Sequence, residues 1–432
     1  MTETPKTIAT PGRIIEANLR RRHRAETRFR LYGISAIVFA VFCLVVLLGT
    51  IINNAIPAFS QTMIRLDVNF QQQIIDPNGS GDPKVFAQAN YRSLIKTSLS
   101  NLFPEVRGRS GKQKLSRLIS SGATYTLRDE VFADASVIGR TKPIWVLASA
   151  DMDQYNKGGI SLKGASTNRR IGNQQAVWFE QLKQQDRVKR VFNTTLFTAG
   201  DSREPELAGV WGAIVGSFYT LIVTLALSFP IGVASAVYLE EFAPKNALTQ
   251  LIEVNINNLA AVPSIVFGLL GLAVFLNFFN LPRSAPLVGG MVMALMTLPT
   301  IIIAGRSALK SVPPSLREAA FGLGASKLQM VTDHALPLAM PGILTGTIIG
   351  MARALGESAP LLMIGMVAFI VDIPGGVSDP ATVMPVQIYL WADSPEHAFL
   401  ERTAAATLIL VGFLVAMNGL AVILRKKFER KW

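Results

Sequence analysis

The sequence predicts an α-helical membrane protein with six transmembrane helices and an α+β soluble insert between the first and second. Three observations carry that expectation. Half of the 432 residues are apolar and only 16% are charged, with a mean hydropathy of +0.36. The apolar residues gather into runs long enough to cross a hydrocarbon core of ~30 Å. The basic residues behind the net charge of +13 crowd at 20–30, 306–327 and 425–431. Each cluster lies beside an apolar run, which is the positive-inside pattern and sets nucleic acid aside as a partner.

Residues 1–30 form a basic cytoplasmic N-terminus with RRRHR at 20–24, an orientation signal or an anionic-lipid contact. Residues 31–56 are the first transmembrane helix, ended by Pro57. That run starts too late and is too long for a cleaved signal peptide, so an anchor is expected.

From 58 to 207 charges return and Gln, Asn and Ser become frequent. DPNGSGDP at 76–83 reads as an exposed turn, 144–149 and 176–180 read as strands, and 115–120 reads as helical. About 150 residues can bury a core of their own, so this segment is expected to be an extracytoplasmic α+β domain. Its basic residues Arg107, Arg109, Lys112, Lys114, Arg169, Arg170, Lys189 and Arg190 could attract an anion. No Gly-rich phosphate cradle accompanies them, which favours a solvated basic surface.

Residues 208–432 hold the remaining spans. The second covers 210–238, with Pro230 and Gly232 near its inner end and Glu240 and Glu241 beyond. The third lies within 251–280, where Pro263, Gly268 and Gly271 permit kinks or close packing. The fourth covers 286–303 and runs into Arg306. Residues 338–370 are apolar apart from Arg353 and Glu357, as a tilted or broken helix would be. Residues 371–398 are polar, and 404–424 is the sixth span. With the N-terminus inside, six spans place the insert outside, 315–337 inside, 371–398 outside and the basic C-terminus inside.

The polar interval 315–337, SLREAAFGLGASKLQMVTDHALP, has no lipid to bury itself in and is expected to dock a partner. Ser315 and Glu318 have capping-box spacing. A short helix is expected to start there after Pro313 and Pro314, to break at Gly322 and Gly324, and to be followed by a second helical piece over 325–334. Pro337 then marks the return to the membrane. Arg353 and Glu357 are four residues apart, share a helix face and can pair. Charges at such depth cost about 2.5–3.5 kcal/mol each on insertion scales, so they face a bundle interior or a water-filled path. Two readings stand: the pair lines a path for a polar solute, or it fixes helix register.

Glu318-Ala319-Ala320, three residues, Gly324, nine residues and His334-Ala335-Leu336-Pro337 together resemble the EAA signature of ABC importer permeases, with His334 at a usually aliphatic position. The resemblance implies that Glu318, Ala319, Ala320, Phe321, Gly322, Gly324, Leu336 and Pro337 belong to a coupling helix, within a loop at 306–337, that a cytoplasmic ATPase grips. ARALGESAPLLMIG at 352–365 is similar to the corresponding segment of phosphate-specific permeases of the PstA type. So are PIGVASAVYLEEF at 230–242, AVPSIVFGLLGL at 261–272 and GRSALKSVPPSLREAAFGLGASK at 305–327. That resemblance implies the six-helix ABC importer permease fold and assigns phosphate passage to Arg306, Arg353 and Glu357. It implies as partners a PstC-type permease, two PstB-type ATPases and a periplasmic phosphate-binding protein, in a bacterial inner membrane. The long insert departs from the shorter members of the family.

Several classes are disfavoured. No Walker A pattern occurs, so ATP and Mg are expected on the partner ATPase and no cofactor on this chain. Cys43 is the single cysteine, and His23, His334 and His397 are far apart, so neither an intrachain disulfide nor a structural zinc site is expected. No HExxH or Gly-x-Ser-x-Gly run supports an intramembrane enzyme. A permease for another oxyanion, such as sulfate or molybdate, is the nearest alternative, and a membrane sensor is a more distant one.

Overall fold

The computed structural model describes residues 11–160, 171–367 and 369–428. Arg169 and Arg170 therefore lie outside the described residues. Helix α1, Pro11–Ala55, is 45 residues long and extends well before the expected start at 31. Its basic N-terminal half is rich in Arg, Glu and Ala, which are good helix formers, and carries no internal Pro to stop it.

A short 3-10 turn at Ile56–Phe59 containing Pro57 leads into the insert. Its elements are β1 (Ser60–Asn69), α2 (Tyr91–Leu102), α3 (Arg109–Ser116), α4 (Ala123–Ala133), β2 (Thr141–Leu147), α5 (Ala150–Lys157), α6 (Asn173–Gln184) and β3 (Val188–Phe192). The strands form one antiparallel sheet in the order β2-β1-β3. Met63 pairs with Leu147 on one side and with Lys189 on the other. Ile64, Leu66 and Val68 alternate inward from β1, as the period of two requires. They meet Leu94 and Leu99 of α2, Leu115 of α3, Leu127 of α4 and Phe179 of α6 in a core drawn from the insert alone.

Two local expectations are corrected here. The stretch 176–180 is helical, inside α6. Gln175, Trp178, Phe179 and Leu182 are buried while Val177 is exposed, which is the helical period of three and four and not alternation. Residues 115–120 are mostly non-helical, because α3 ends at Ser116 and Ile119 bridges to Ala148 beside the sheet. The turn at 76–83 is a loop as expected. Asp76 accepts from the Gly81 and Ser80 backbone N–H groups at 2.7 and 3.0 Å, which holds its carboxyl below the usual range.

Among the described residues five helices are long and apolar enough to span a membrane, and a bent pair supplies a sixth if it counts as one span. Beyond α1 they include α7 (Trp211–Val237), the pair α8 (Ala247–Ala260) and α9 (Ser264–Gly271), α10 (Pro286–Lys310), and, after the short α11 (Pro314–Gly322), α12 (Leu336–Gly356). The short α13 (Ala359–Met363) and α14 (Met384–Ala392) precede the last span, α15 (Ala398–Phe428). The region expected to be one third span is broken by 101°. Pro263 sits in the extended region at the break and excludes a helical residue before it. Residues 371–398 are not simply a polar connector, since α14 within them buries Met384, Val386 and Trp391.

Glycines set the spacing of the central helices. A Cβ at Gly346 would lie 2.1 Å from that of Ala304, and one at Gly342 would lie 2.6 Å from that of Ala308. Helices α12 and α10 thus touch backbone to backbone, as small residues allow where lipid removes the hydrophobic drive.

Candidate functional site

Helix α11 carries the EAA residues, and its ends explain their spacing. Ser315 does not cap it: the N-cap is Pro313, Pro314 occupies the first turn, and no side chain caps the end. Proline there presets the helical φ and lacks an N–H that would otherwise go unpaired. At the other end Ala325 N–H donates to Ala320 O at 3.1 Å and Gly324 N–H donates to Phe321 O at 2.9 Å. These two bonds are those of a Schellman motif, whose turning residue must be left-handed. Gly324 meets that demand with φ +83°. Ala320 is buried among Val312, Met330 and Val331, whereas Glu318 and Ala319 are exposed.

The capping box sits eleven residues later than expected, at Ser326 and not Ser315. Ser326 Oγ accepts from Gln329 N–H, and Gln329 Oε1 accepts from Ser326 N–H at 2.9 Å. The helical piece that starts there passes through a π-turn at Met330–Ala335 into α12 without interruption. Leu336 and Pro337 lie in the first turn of α12, so Pro337 continues the helix instead of breaking it. The outer side of this turn is apolar: Phe321 is 47% exposed, Leu328 63% and Leu323 89%. A leucine left almost wholly in water forgoes about 1.5–3 kcal/mol of burial, which marks a face awaiting a partner.

A charge network fastens the turn to the bundle. Arg317 Nη2 reaches Glu241 Oε1 and the Leu309 carbonyl, each at 2.8 Å. Arg306 pairs with Glu253 at 2.6 Å and Glu240 at 3.5 Å, and Lys310 stands 3.7 Å from Glu240. The Glu241 side chain is only 6% exposed. Glu240 and Glu241 fall in a π-turn at Tyr238–Phe242, and Lys327 lies over the Phe242 ring at 5.2 Å. In the sequence the two glutamates stand beyond the second span with no role evident. An acidic pair at a span end where basic residues predominate was the available signal.

Arg353 and Glu357 are together, Nε to Oε1 at 3.7 Å, and are 51% and 24% exposed. Arg353 is in the last turn of α12, and Glu357 is the residue that ends it, with ψ 126°. Arg306 is not with them. The close approaches of Gly342 to Ala308 and Gly346 to Ala304 set Leu344 opposite Arg306. Arg353 is nine residues further on, or about 14 Å at 1.5 Å per residue. The three residues expected on the path therefore occupy two levels of the bundle.

The insert is tied to the bundle by buried ions. Lys157 of α5 pairs with Asp153 at 2.5 Å and with Glu401 of α15 at 3.0 Å, all nearly solvent-free. Arg402 Nη1 donates to Ala208 O at 2.8 Å. Among the described residues no group of His, Cys, Asp and Glu could hold a metal ion.

Residues 228–430 match the family described as "Binding-protein-dependent transport system inner membrane component". Residues 16–165 match a domain of unknown function, DUF3333. The chain is 31% identical over 217 residues to the phosphate transport system permease protein PstA 1 of Mycobacterium tuberculosis, covering 50% of this chain and 70% of that one. It is 28% identical over 236 residues to PstA of Haemophilus influenzae, covering 55% and 81%. Among solved structures, it is similar to a chain of the inward-facing MetNI methionine ABC transporter, at 19% identity and a TM-score of 0.42, covering 51% and 98%. The chain belongs to the PstA-type family of ABC importer permeases, as a multi-pass membrane subunit and not an enzyme.

Proposed function

We propose that this chain is half of the translocation path of an ATP-driven importer of inorganic phosphate in the bacterial inner membrane. It pairs with a PstC-type permease, rests on two PstB-type ATPases and receives phosphate from a periplasmic binding protein. The single observation that carries the coupling role is the α11 turn, apolar and exposed outside and braced by Arg317 and Glu241 inside. A segment so built transmits displacement and does not absorb it. ATP and Mg act on the partner: closure of the ATPase dimer pulls α11, and the brace passes the motion to α7 and α10. The termini and α11 are cytoplasmic and the insert periplasmic.

Phosphate as the solute is supported by the PstA relatives and by Arg353, whose fork suits a tetrahedral oxyanion. With Glu357 beside it the site is close to neutral, so an anion is held weakly and released. We place Arg353 and Glu357 on the wall of the path and Arg306 at its cytoplasmic end. The test is uptake of labelled phosphate by a strain whose only copy is Arg353→Gln, with assembly of the complex measured in parallel. Uptake should vanish while the complex assembles. Loss of assembly would return the pair to a register role, and normal uptake by a deletion strain would reject phosphate as the solute.

A further inference from the structure

We infer that the insert carries a binding site for a phosphoryl oxyanion in the cleft between α2 and α3. The cleft has a volume of about 450 Å³, and its lining holds Arg92 and Lys96 of α2, Arg109 and Lys112 of α3, and no acidic side chain. Glu105, in the connection between the two helices, is exposed and does not line it. Arg92 and Lys96 are spaced by four and Arg109 and Lys112 by three, so each pair shares a helix face and repels along it. Leu99 and Leu115 form the floor, and both are buried. The backbones that carry the cations are therefore fixed in place by the core.

Several other cations of the insert are held by a partner. Lys142 pairs with Glu130, Arg187 with Asp67, and Lys157 with Asp153 and Glu401. Lys189 lies over the Trp145 ring. Among the described residues, none of the cleft's four cations has an ion pair. A concave wall of one sign focuses its field into the hollow and concentrates small anions there. Guanidinium and ammonium groups on facing helices can donate to several oxygens of a tetrahedral anion at once. An adjoining hollow of about 770 Å³ shares Arg92 and Lys96 and carries Arg203 with four carboxylates, Asp151, Glu204, Glu206 and Glu396, so the one-sign wall is confined to the α2–α3 cleft. The cleft would thus gather oxyanion on the insert, apart from Arg353.

The inference rests on the phosphate reading only for its choice of anion. The probe is radiolabelled orthophosphate in equilibrium dialysis against the full-length chain in phosphatidylcholine nanodiscs at low salt. Saturable binding is expected. Lys96→Gln/Lys112→Gln should weaken it at least about tenfold, since two charge-assisted bonds are lost. Lys96→Arg/Lys112→Arg keeps the charge and should retain binding, as should Lys84→Gln on an exposed surface outside the cleft. A second arm counts phosphatidylglycerol retained by the same variants in mixed nanodiscs. Retention that falls only in the glutamine pair assigns the phosphoryl group to a lipid headgroup instead of free phosphate. Equal binding by the glutamine pair and the unchanged chain in both arms overturns the site. Cellular uptake tests the importer reading and dialysis tests the cleft, so either can fail with the other standing.

Discussion

Replacing Arg317 by Ala removes the α11 brace while leaving every exposed residue of the docking turn in place. Glu241 is then left at 6% exposure with no counterion, and the Leu309 carbonyl keeps only its backbone donors. Breaking a fully buried pair costs 3–5 kcal/mol. Arg317 is 26% exposed, so water can enter the gap, and about 2–3 kcal/mol is the fitting magnitude. That shifts the docked-to-undocked ratio of α11 by about 30- to 150-fold. Hydrogen exchange of the amides in Pro314–Gly322, measured on the assembled complex, should accelerate by a similar factor. ATP hydrolysed per phosphate imported should rise in the same preparation. Glu241→Gln in the Arg317→Ala background removes the orphaned charge and should restore part of the protection. Unchanged exchange and unchanged stoichiometry in Arg317→Ala would refute the brace.

Gly324 has open space around an added Cβ but a φ of +83°, so conformation and not volume governs it. Gly324→Val should cost about 1–2 kcal/mol and lower co-purification of the ATPase, whereas Gly324→Asn, which tolerates the left-handed region, should not; equal yields would contradict this account. Gly346→Ala drives a methyl to 2.1 Å from the Ala304 Cβ and should cost about 1–3 kcal/mol as overpacking. Thermal unfolding in detergent should show recovery with Ala304→Gly, and a double variant no better than the single would place the strain elsewhere. Burial raises the Glu206 carboxyl above its ordinary 4.5, so the folded state holds the extra proton in the window above that value and stability falls as pH rises through it. Glu206→Gln should flatten the pH profile of Tm and raise its alkaline side; an unchanged profile would exclude Glu206 as its source.

The membrane half was legible because its determinants are local and one-dimensional. Apolar runs, their basic flanks and a two-glycine turn are read within about twenty residues of each other. The departure there lies at a helix start: α11 was expected to begin after Pro313 and Pro314, yet Pro314 occupies its first turn. Pro263 bends the third span by 101°, where a kink was permitted, and Pro337 enters the first turn of α12 at the return to the membrane. The insert was harder, because a short apolar stretch such as AVWFE at 176–180 fits either period until its neighbours say which face is covered. Strand β1, by contrast, alternates in sequence as it does in burial, and that signal was available.

The candidate site divides along the same line. The docking turn is held by hydrogen bonds between residues no more than five apart, so its motif is visible in sequence. The brace joins Glu241 to Arg317, and the insert's tether joins Lys157 to Glu401 across 244 positions. Nothing in either local sequence names its partner. Yet these two pairs decide what the turn can do. A docking helix without the brace would bind an ATPase and move alone. An insert without the tether would report nothing to α15. The Lys157–Glu401 link is shielded from water at both ends and the Arg317–Glu241 link at its acidic end, so separating either pair strands a carboxylate away from solvent at a cost of about 2–5 kcal/mol. Under the proposed coupling role, the Arg317–Glu241 pair is the link through which displacement of α11 would enter the bundle.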